Sequence, residues 1–362
     1  MAFIELILPD LRAGGFENVR TVLAQEFIEA GHRVGITLLR DRGDFRGRLP
    51  EDVLVHTLGV DRGREAIRPL AAHFRETKPD AVLAGLWPLT AITAAALKLS
   101  RHGARLVLSE HNNLSRQYAD WGMIHSMGLR ASLSFAHRAA DSSVAVSQGV
   151  ASDVEALAFL RSGAVRAIRN PISASHATDN DLLKAEMIWA APKGTRILTV
   201  GTLKTQKNHE LLLRAFARLD RSDKTLMFVG EGPGRSHIEK LARELGVECQ
   251  VRMAGFQRKT AAFYHSADLF VLSSNYEGMP NVLGEALASG TNVVSTDCPS
   301  GPRELLEGGK YGRLTVIGDV EALHLAIESA LANPLPSSLL VSRAEMFAPE
   351  RIAHQYLQEL LF

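Results

Sequence analysis

Two glutamates bracket what reads as a helix start in the run Ser273-Ser-Asn-Tyr-Glu-Gly-Met-Pro-Asn-Val-Leu-Gly-Glu285, which continues as Ala-Leu-Ala-Ser-Gly290. Pro280 stands where a first helical residue belongs, Gly278 suits an unusual loop conformation, and Gly290 reads as the C-terminal stop. The amides of Asn281, Val282 and Leu283 would then lack carbonyl partners, and such a helix start favours phosphate. Glu285 follows roughly 4 to 5 Å along the axis, at about 1.5 Å per residue, a reach that suits a ribose diol beside that phosphate. Glu277, just ahead of the helix, falls on the phosphate's other side, where it could hold the hydroxyls of a sugar.

Other residues of the right chemistry sit after short apolar runs. Lys207 closes Val200-Gly-Thr-Leu-Lys-Thr-Gln-Lys207, with Lys204 three positions earlier. His111 follows the apolar run in Leu108-Ser-Glu-His-Asn-Asn113. Gly14-Gly15 precedes a helix expected over 16–30, where the lack of side chains permits close approach of the backbone to a ligand. The full G-x-G-x-x-G fingerprint is absent, which argues against a dinucleotide-binding domain proper. Gly230, in Val229-Gly-Glu-Gly-Pro233, and Gly255-Phe256 fall in two further loops. Asp179-Asn-Asp181 has the spelling of a carboxylate metal motif, but it lies between domains rather than after a strand and reads as a solvated turn. No metal or other cofactor is implied.

Such loops need strands to hold them. Candidate strands at 3–8, 34–39, 81–85, 106–109, 144–147 and 165–168 alternate with helix-length amphipathic segments, the pattern of parallel βαβ units. A second series follows at 197–200, 226–229, 251–254, 269–272, 293–296 and 314–316. In open α/β sheets ligands bind at the carboxyl ends of the strands, where these loops lie. The fold class is α/β, with two Rossmann-like domains in tandem: 1–172, joined by a C-terminal helix within 347–362 that packs back on it, and 190–346. A polar linker is expected over 170–193.

Bulk composition narrows the function classes. The chain has 362 residues, 46% of them apolar, and a net charge of +1, so no global field draws nucleic acid and phosphate must be met locally. The two cysteines, Cys249 and Cys298, have neither disulfide-framework nor zinc spacing. The apolar start MAFIELILPD carries Glu5 and ends within about eight residues, too short for a signal peptide or a spanning helix. A cytoplasmic location is expected, with any membrane contact peripheral and at the inner face.

The segment from Tyr-His-Ser-Ala-Asp-Leu-Phe-Val-Leu-Ser-Ser through Glu277, Glu285 and Gly290 resembles the E-x7-E region of retaining family 4 GT-B glycosyltransferases, and the resemblance extends over essentially the whole chain. It implies two Rossmann-like domains facing each other across a cleft, and a hexose or N-acetylhexosamine transferred from a nucleoside diphosphate sugar with retention of configuration. Glu277 and His111 would contact the transferred sugar. Gly14, Gly15, Lys207, Gly230, Gly255, Phe256, Gly278, Met279, Asn281, Val282, Leu283 and Glu285 would bind the donor. The family's V-G-R-L-x-x-x-K segment is matched at Lys207, but Thr202 replaces the diphosphate-clamping arginine, with Lys204 a candidate substitute. The run Ser295-Thr-Asp-Cys-Pro-Ser-Gly-Pro-Arg-Glu304 looks like the branch that builds lipopolysaccharide and other lipid-linked surface glycans, with a UDP-sugar the first choice of donor. A GDP-mannose-dependent mannosyltransferase and a non-catalytic two-lobed sugar-binding protein are the alternatives. The acceptor would be a saccharide or lipid-linked saccharide. The stretch 114–138 suits either an anionic membrane surface or a buried amphipathic helix.

Overall fold

A computed structural model describes every residue except Ala13, Ala174, Ser175, Ala191, Pro192 and Lys193, and the side chain of Asp44. The chain divides into two compact units, Met1–Pro171 with Pro349–Phe362, and Ile172–Ala348.

The first unit is built on β1 (Phe3–Leu8), β2 (Arg33–Leu38), β3 (Leu54–Thr57), β4 (Ala81–Gly85), β5 (Arg105–Glu110), β6 (Ser142–Ala145) and β7 (Arg166–Ala167). They pair in the order β3-β2-β1-β4-β5-β6-β7, every pair parallel. All residues of β1 are buried, as expected of a strand covered on both faces. No apolar run marks β3: its Leu-Val-His-Thr alternates exposed and half-buried positions at the sheet edge. The C-terminal helix Pro349–Leu361 puts Ile352, Ala353, Tyr356 and Leu360 into the core with Ile4, Leu6 and Phe27 of this unit. That spacing is one helical face, and burying each large side chain contributes about 1.5 to 3 kcal/mol.

The second unit holds β8 (Arg196–Val200), β9 (Thr225–Val229), β10 (Val251–Gly255), β11 (Leu269–Leu272), β12 (Asn292–Thr296) and β13 (Arg313–Thr315), in the order β10-β9-β8-β11-β12-β13 and parallel throughout. The strand order reverses between β8 and β11 here and between β1 and β4 in the first unit. In open α/β sheets the crevice at such a reversal is where ligands bind.

The expected linker needs correction. Although 174–175 and 191–193 lie outside the described residues, between them runs the helix Asp179–Trp189, which belongs to the second unit. Its anchor is Trp189, fully buried, whose Nε1 donates to Ser266 Oγ at 2.8 Å. The Asp179-Asn-Asp181 run is therefore a helix start rather than a free turn. The Thr178 side chain accepts from the Asp181 amide while the Asp181 carboxylate accepts from the Thr178 amide, a reciprocal cap.

Candidate functional site

Lys207 and Glu277 come from the loops that follow β8 and β11, the two strands at the reversal. Lys207 Nζ donates to Glu277 Oε1 at 2.7 Å, and Ser274 Oγ donates to the same oxygen at 2.6 Å. The Glu277 peptide is pinned on both sides: its amide donates to the Pro299 carbonyl at 2.8 Å, and its carbonyl accepts from the Ser300 amide at 3.0 Å. Three further bonds lace the loops together, from Gln206 Nε2 to the Tyr276 carbonyl at 2.9 Å, from Asn208 Nδ2 to Asn275 Oδ1 at 2.9 Å, and from Ser273 Oγ to the Lys207 carbonyl at 2.9 Å. A desolvated charge needs such partners to be tolerable. An ammonium carries three donors, and the bond to Glu277 uses one of them.

Thr202 and Lys204 are exposed on the same loop. Partial loss of solvent around the Lys204 ammonium, and then the charge of Lys207, lower its pKa, with Glu277 opposing. Lys204 therefore lies within the field of the pair without an ion pair to it. Nearby, burial and then Glu277 push the Cys298 thiol up to about 12, while burial and then Lys207 push His209 down to about 3.

The helix after Glu277 runs Asn281–Ala288, one residue later than expected. Pro280 is its cap, with an extended backbone, and its carbonyl accepts from the Leu283 amide at 3.0 Å. Of the three amides expected to face a ligand, that of Leu283 is thus occupied, and its side chain is buried with Gly278 and Met279. Asn281 and Val282 are half-buried. Gly290, at φ 70°, ends the helix as expected. Glu285 is half-buried, and its Oε2 accepts from the Tyr264 hydroxyl at 3.0 Å. Burial raises the Glu285 pKa against the opposing Tyr264 bond, and it raises Tyr264 well above the usual phenol value, with the charge of Glu285 adding to the effect.

Gly230 has a packing reason for being glycine. At φ 141° a Cβ would sit 2.1 Å from the Gly201 carbonyl oxygen, while the Gly230 amide donates to the Gly255 carbonyl at 2.8 Å. Gly255 has φ 69°, and Phe256 beyond it is 49% exposed.

In the first unit Gly14 caps the helix Gly15–Glu29, which follows β1, and His111 follows β5. His111 is half-buried, edge-on to the Phe16 ring at 4.8 Å. Its Nε2 lies 3.1 Å from Ser109 Oγ and 3.4 Å from Arg20 Nη2. Burial, then the Arg20 charge, hold the imidazole well below its ordinary pKa. The neighbouring Glu110 braces the fold instead, accepting from the Trp87 amide at 3.0 Å and from Thr90 Oγ1 at 2.8 Å.

The stretch 114–138 serves two surfaces. In the helix Met123–Ala139, Leu129, Leu133 and Ala136 are buried, whereas Met123, Ile124 and Met127 are 79%, 83% and 63% exposed. Trp121, just before the helix, is 38% exposed and packs against Tyr118 with the rings tilted by 43° and their centroids 4.3 Å apart. Among the described residues no helix is long and apolar enough to cross a membrane, and no cluster of three His, Cys, Asp or Glu side chains could hold a metal.

Sequence patterns single out Lys207, Glu277, Glu285 and His111 but not the residues that hold them, namely Ser274, Tyr264, Arg20 and Ser109. Tyr264 stands in the quoted Tyr-His-Ser-Ala-Asp segment, yet only the fold brings its hydroxyl to Glu285.

Comparison with known proteins gives the same division. The model for glycosyl transferases group 1 matches residues 188–346, and that for glycosyltransferase family 4 matches 13–176. A lipopolysaccharide core biosynthesis glycosyltransferase, LpsE of Rhizobium meliloti, is 33% identical over 62% of this chain and 65% of its own length. The N-acetylgalactosamine-N,N'-diacetylbacillosaminyl-diphospho-undecaprenol 4-alpha-N-acetylgalactosaminyltransferase of Campylobacter jejuni is 34% identical over 47% of this chain and 48% of its own. The chain thus spans less than two thirds of the length of these curated relatives. The crystal structure of Anabaena HepE in complex with UDP-glucose superposes with a TM-score of 0.83 at 21% identity, covering 99% of both chains.

Proposed function

Because the chain belongs to the glycosyl transferases group 1 and glycosyltransferase family 4 proteins, we propose that it moves a hexose or N-acetylhexosamine from a nucleoside diphosphate sugar, a UDP-sugar first, onto a saccharide or lipid-linked saccharide in surface-glycan synthesis. The observation that carries this reading is the Lys207–Glu277 pair at the strand reversal, 2.7 Å between Nζ and Oε1. A cation held by a carboxylate and partly open to solvent suits a diphosphate, and the carboxylate suits the sugar attached to it. Relatives support the direction. The Rhizobium protein is named for lipopolysaccharide core synthesis, the Campylobacter protein for transfer of N-acetylgalactosamine to a diphospho-undecaprenol-linked saccharide, and the Anabaena structure contains UDP-glucose.

In this reading Glu285 holds the ribose and Lys207 the diphosphate, whose charge the start of helix Asn281–Ala288 also favours. Thr202 leaves the diphosphate without the family's arginine fork, so the contact rests on ammonium point charges, Lys207 with Lys204 nearby. Departure of the nucleoside diphosphate is the difficult step, and fixed donors aimed at the developing charge lower its barrier without a metal ion. The acceptor oxygen bonds to C1 on the face from which the phosphate oxygen leaves, that phosphate oxygen takes the hydroxyl proton, and the configuration at C1 is retained. His111 is assigned to the transferred sugar on the family resemblance.

The exposed Trp121, Met123, Ile124 and Met127, flanked by Arg116 and Arg130, favour contact with an anionic inner-face membrane that presents a lipid-linked acceptor. Co-sedimentation with vesicles containing anionic lipid, and release by Met123→Asp with Ile124→Asp, tests that part alone.

The transfer reading is tested by thermal shift and sugar release with UDP-, GDP-, ADP- and dTDP-sugars in the presence of EDTA. Stabilisation and slow turnover with a UDP-sugar despite EDTA are expected. Preference for GDP-mannose would correct the donor, and response to free sugars with indifference to every nucleotide would replace the transferase by a sugar-binding protein.

A further inference from the structure

Arg20 is the least explained charge in the molecule. It is 0% exposed, and among the described residues no carboxylate pairs with it. Its Nη2 donates to Ser109 Oγ and lies 3.4 Å from His111 Nε2, while among the described residues Nε and Nη1 meet no acceptor at strict hydrogen-bond geometry. Also packed against it are the Phe16 ring, with its centroid 4.9 Å from the guanidinium carbon, and Tyr356 of the C-terminal helix, with its ring at 5.9 Å. The Tyr356 hydroxyl faces the guanidinium from beyond strict hydrogen-bond geometry and acts on it by charge and as a weak hydrogen-bond partner. A buried guanidinium without a counter-charge costs several kcal/mol of desolvation, and its Nη2 contacts lead to one place, the Ser109–His111 end of β5.

That contact decides which nitrogen of His111 carries the proton. Two hydrogen-bond arrangements satisfy the distances. In one, a protonated Nε2 donates to Ser109 Oγ at 3.1 Å and the serine hydroxyl donates to the Ala84 carbonyl at 3.3 Å. In the other, Nε2 is bare and accepts from the serine hydroxyl and from Arg20. A guanidinium has only donors, so in the first arrangement Nε2–H and an Arg20 N–H both point at Ser109 Oγ, and the ring turns its positive N–H end, 3.4 Å from Nη2, towards a full positive charge with little solvent to screen it. In the second arrangement the lone pair of Nε2 faces the cation.

We infer that Arg20 is a positioning residue that locks His111 as the neutral Nδ1–H tautomer. Nε2 is consumed inside the protein, and Nδ1–H is left as the ring's one polar group for a ligand. His111 is then a hydrogen-bond donor to an oxygen, and its one lone pair, on Nε2, is turned to Ser109 and Arg20 rather than to a ligand's proton. Resting on the reading of His111 as a contact to the transferred sugar, this assigns it the orientation of a sugar oxygen and leaves the acceptor's proton to the departing phosphate. The lowered pKa of His111, from burial and then Arg20, agrees with a ring that stays neutral.

The test is the 15N spectrum of the full chain labelled at histidine, with the signal of His111 among the 13 histidines identified by its loss in His111→Gln. Expected in the unsubstituted protein are shifts of a protonated Nδ1 and a bare Nε2, unchanged down to about pH 5.5, where ordinary histidines near about 6.5 are mostly charged. Arg20→Met, which keeps the bulk without the charge, is expected to bring in the Nε2–H form and to raise the titration midpoint, and Arg20→Lys to retain the original tautomer. A protonated Nε2 in the unsubstituted protein, or a spectrum indifferent to Arg20→Met, overturns the inference. Should Arg20→Met fail to fold, the spectrum of the unsubstituted protein decides alone. The expected spectra together with normal transfer by His111→Ala would sink the site assignment and leave the tautomer lock standing.

Discussion

Lys207 Nζ and Glu277 Oε1 sit 2.7 Å apart although 70 residues separate them in the chain. The two loops that carry them follow adjacent strands, β8 and β11, which run side by side only because the sheet reverses its order there. The bond to Glu277 fixes the ammonium in place, and the proposed transfer would draw on such a preorganised charge.

Lys207→Ala is expected to lower kcat/KM by roughly 10² to 10³-fold, the usual cost of one such donor. It should also lower stability by about 1 to 3 kcal/mol, because a desolvated carboxylate loses its partner. Lys207→Met combined with Glu277→Leu should recover much of that stability in urea unfolding while remaining inactive in initial-rate assays. Activity that follows stability in the double variant would make the pair structural only.

Tyr264 and Glu285 give a pH-dependent prediction. In the proposed reading the ionised form of Glu285 accepts the ribose hydroxyls, so UDP affinity is expected to fall as pH drops through its raised pKa. The Tyr264 bond holds that pKa down; Tyr264→Phe should therefore move the loss of affinity to higher pH, and Glu285→Ala should weaken UDP binding at every pH and abolish the transition. Titration calorimetry across the acid range reads both. The sign for folding follows from the same shift: a carboxyl raised in the folded state favours folding at low pH, and that contribution disappears as pH rises through the folded pKa.

The two cysteines should differ completely. Cys249 is exposed, whereas Cys298 is buried with its thiol pushed up to about 12 by burial and then by Glu277. Ellman's reagent at neutral pH is expected to titrate one thiol in the native protein and both in denaturant. Rapid reaction of both in the native state would contradict the packing around Glu277.

Gly230→Ala is expected to destabilise by at least about 1 to 3 kcal/mol, since φ is 141° and the added methyl would collide with the Gly201 carbonyl. Urea midpoints measure it, and an unchanged midpoint would argue that the β8 loop shifts freely.

Most of the sheet is legible in the sequence because its strands are short apolar runs buried on both faces; β11, expected at 269–272, is observed at Leu269–Leu272. The edge strand β3 is not, since its Leu54–Thr57 buries little. The helix Asp179–Trp189 is hidden for a different reason: its polar start reads as linker, and only the Thr178–Asp181 cap and the burial of Trp189 reveal it. At the site, Glu277, Glu285 and Lys207 carry local patterns. Their supports do not, because a Tyr264 hydroxyl on Glu285 or an Arg20 guanidinium beside His111 exists only once elements 21 and 91 residues apart have packed.

The most direct measurement is UDP binding by titration calorimetry in EDTA, for the unsubstituted protein and for Lys207→Ala. Clear binding without metal, weakened at least about tenfold by the substitution, roughly 1.4 kcal/mol, is expected if Lys207 meets the diphosphate. Equal affinity in the two proteins, or no binding of UDP or any other nucleoside diphosphate, would contradict a donor site at the Lys207–Glu277 pair.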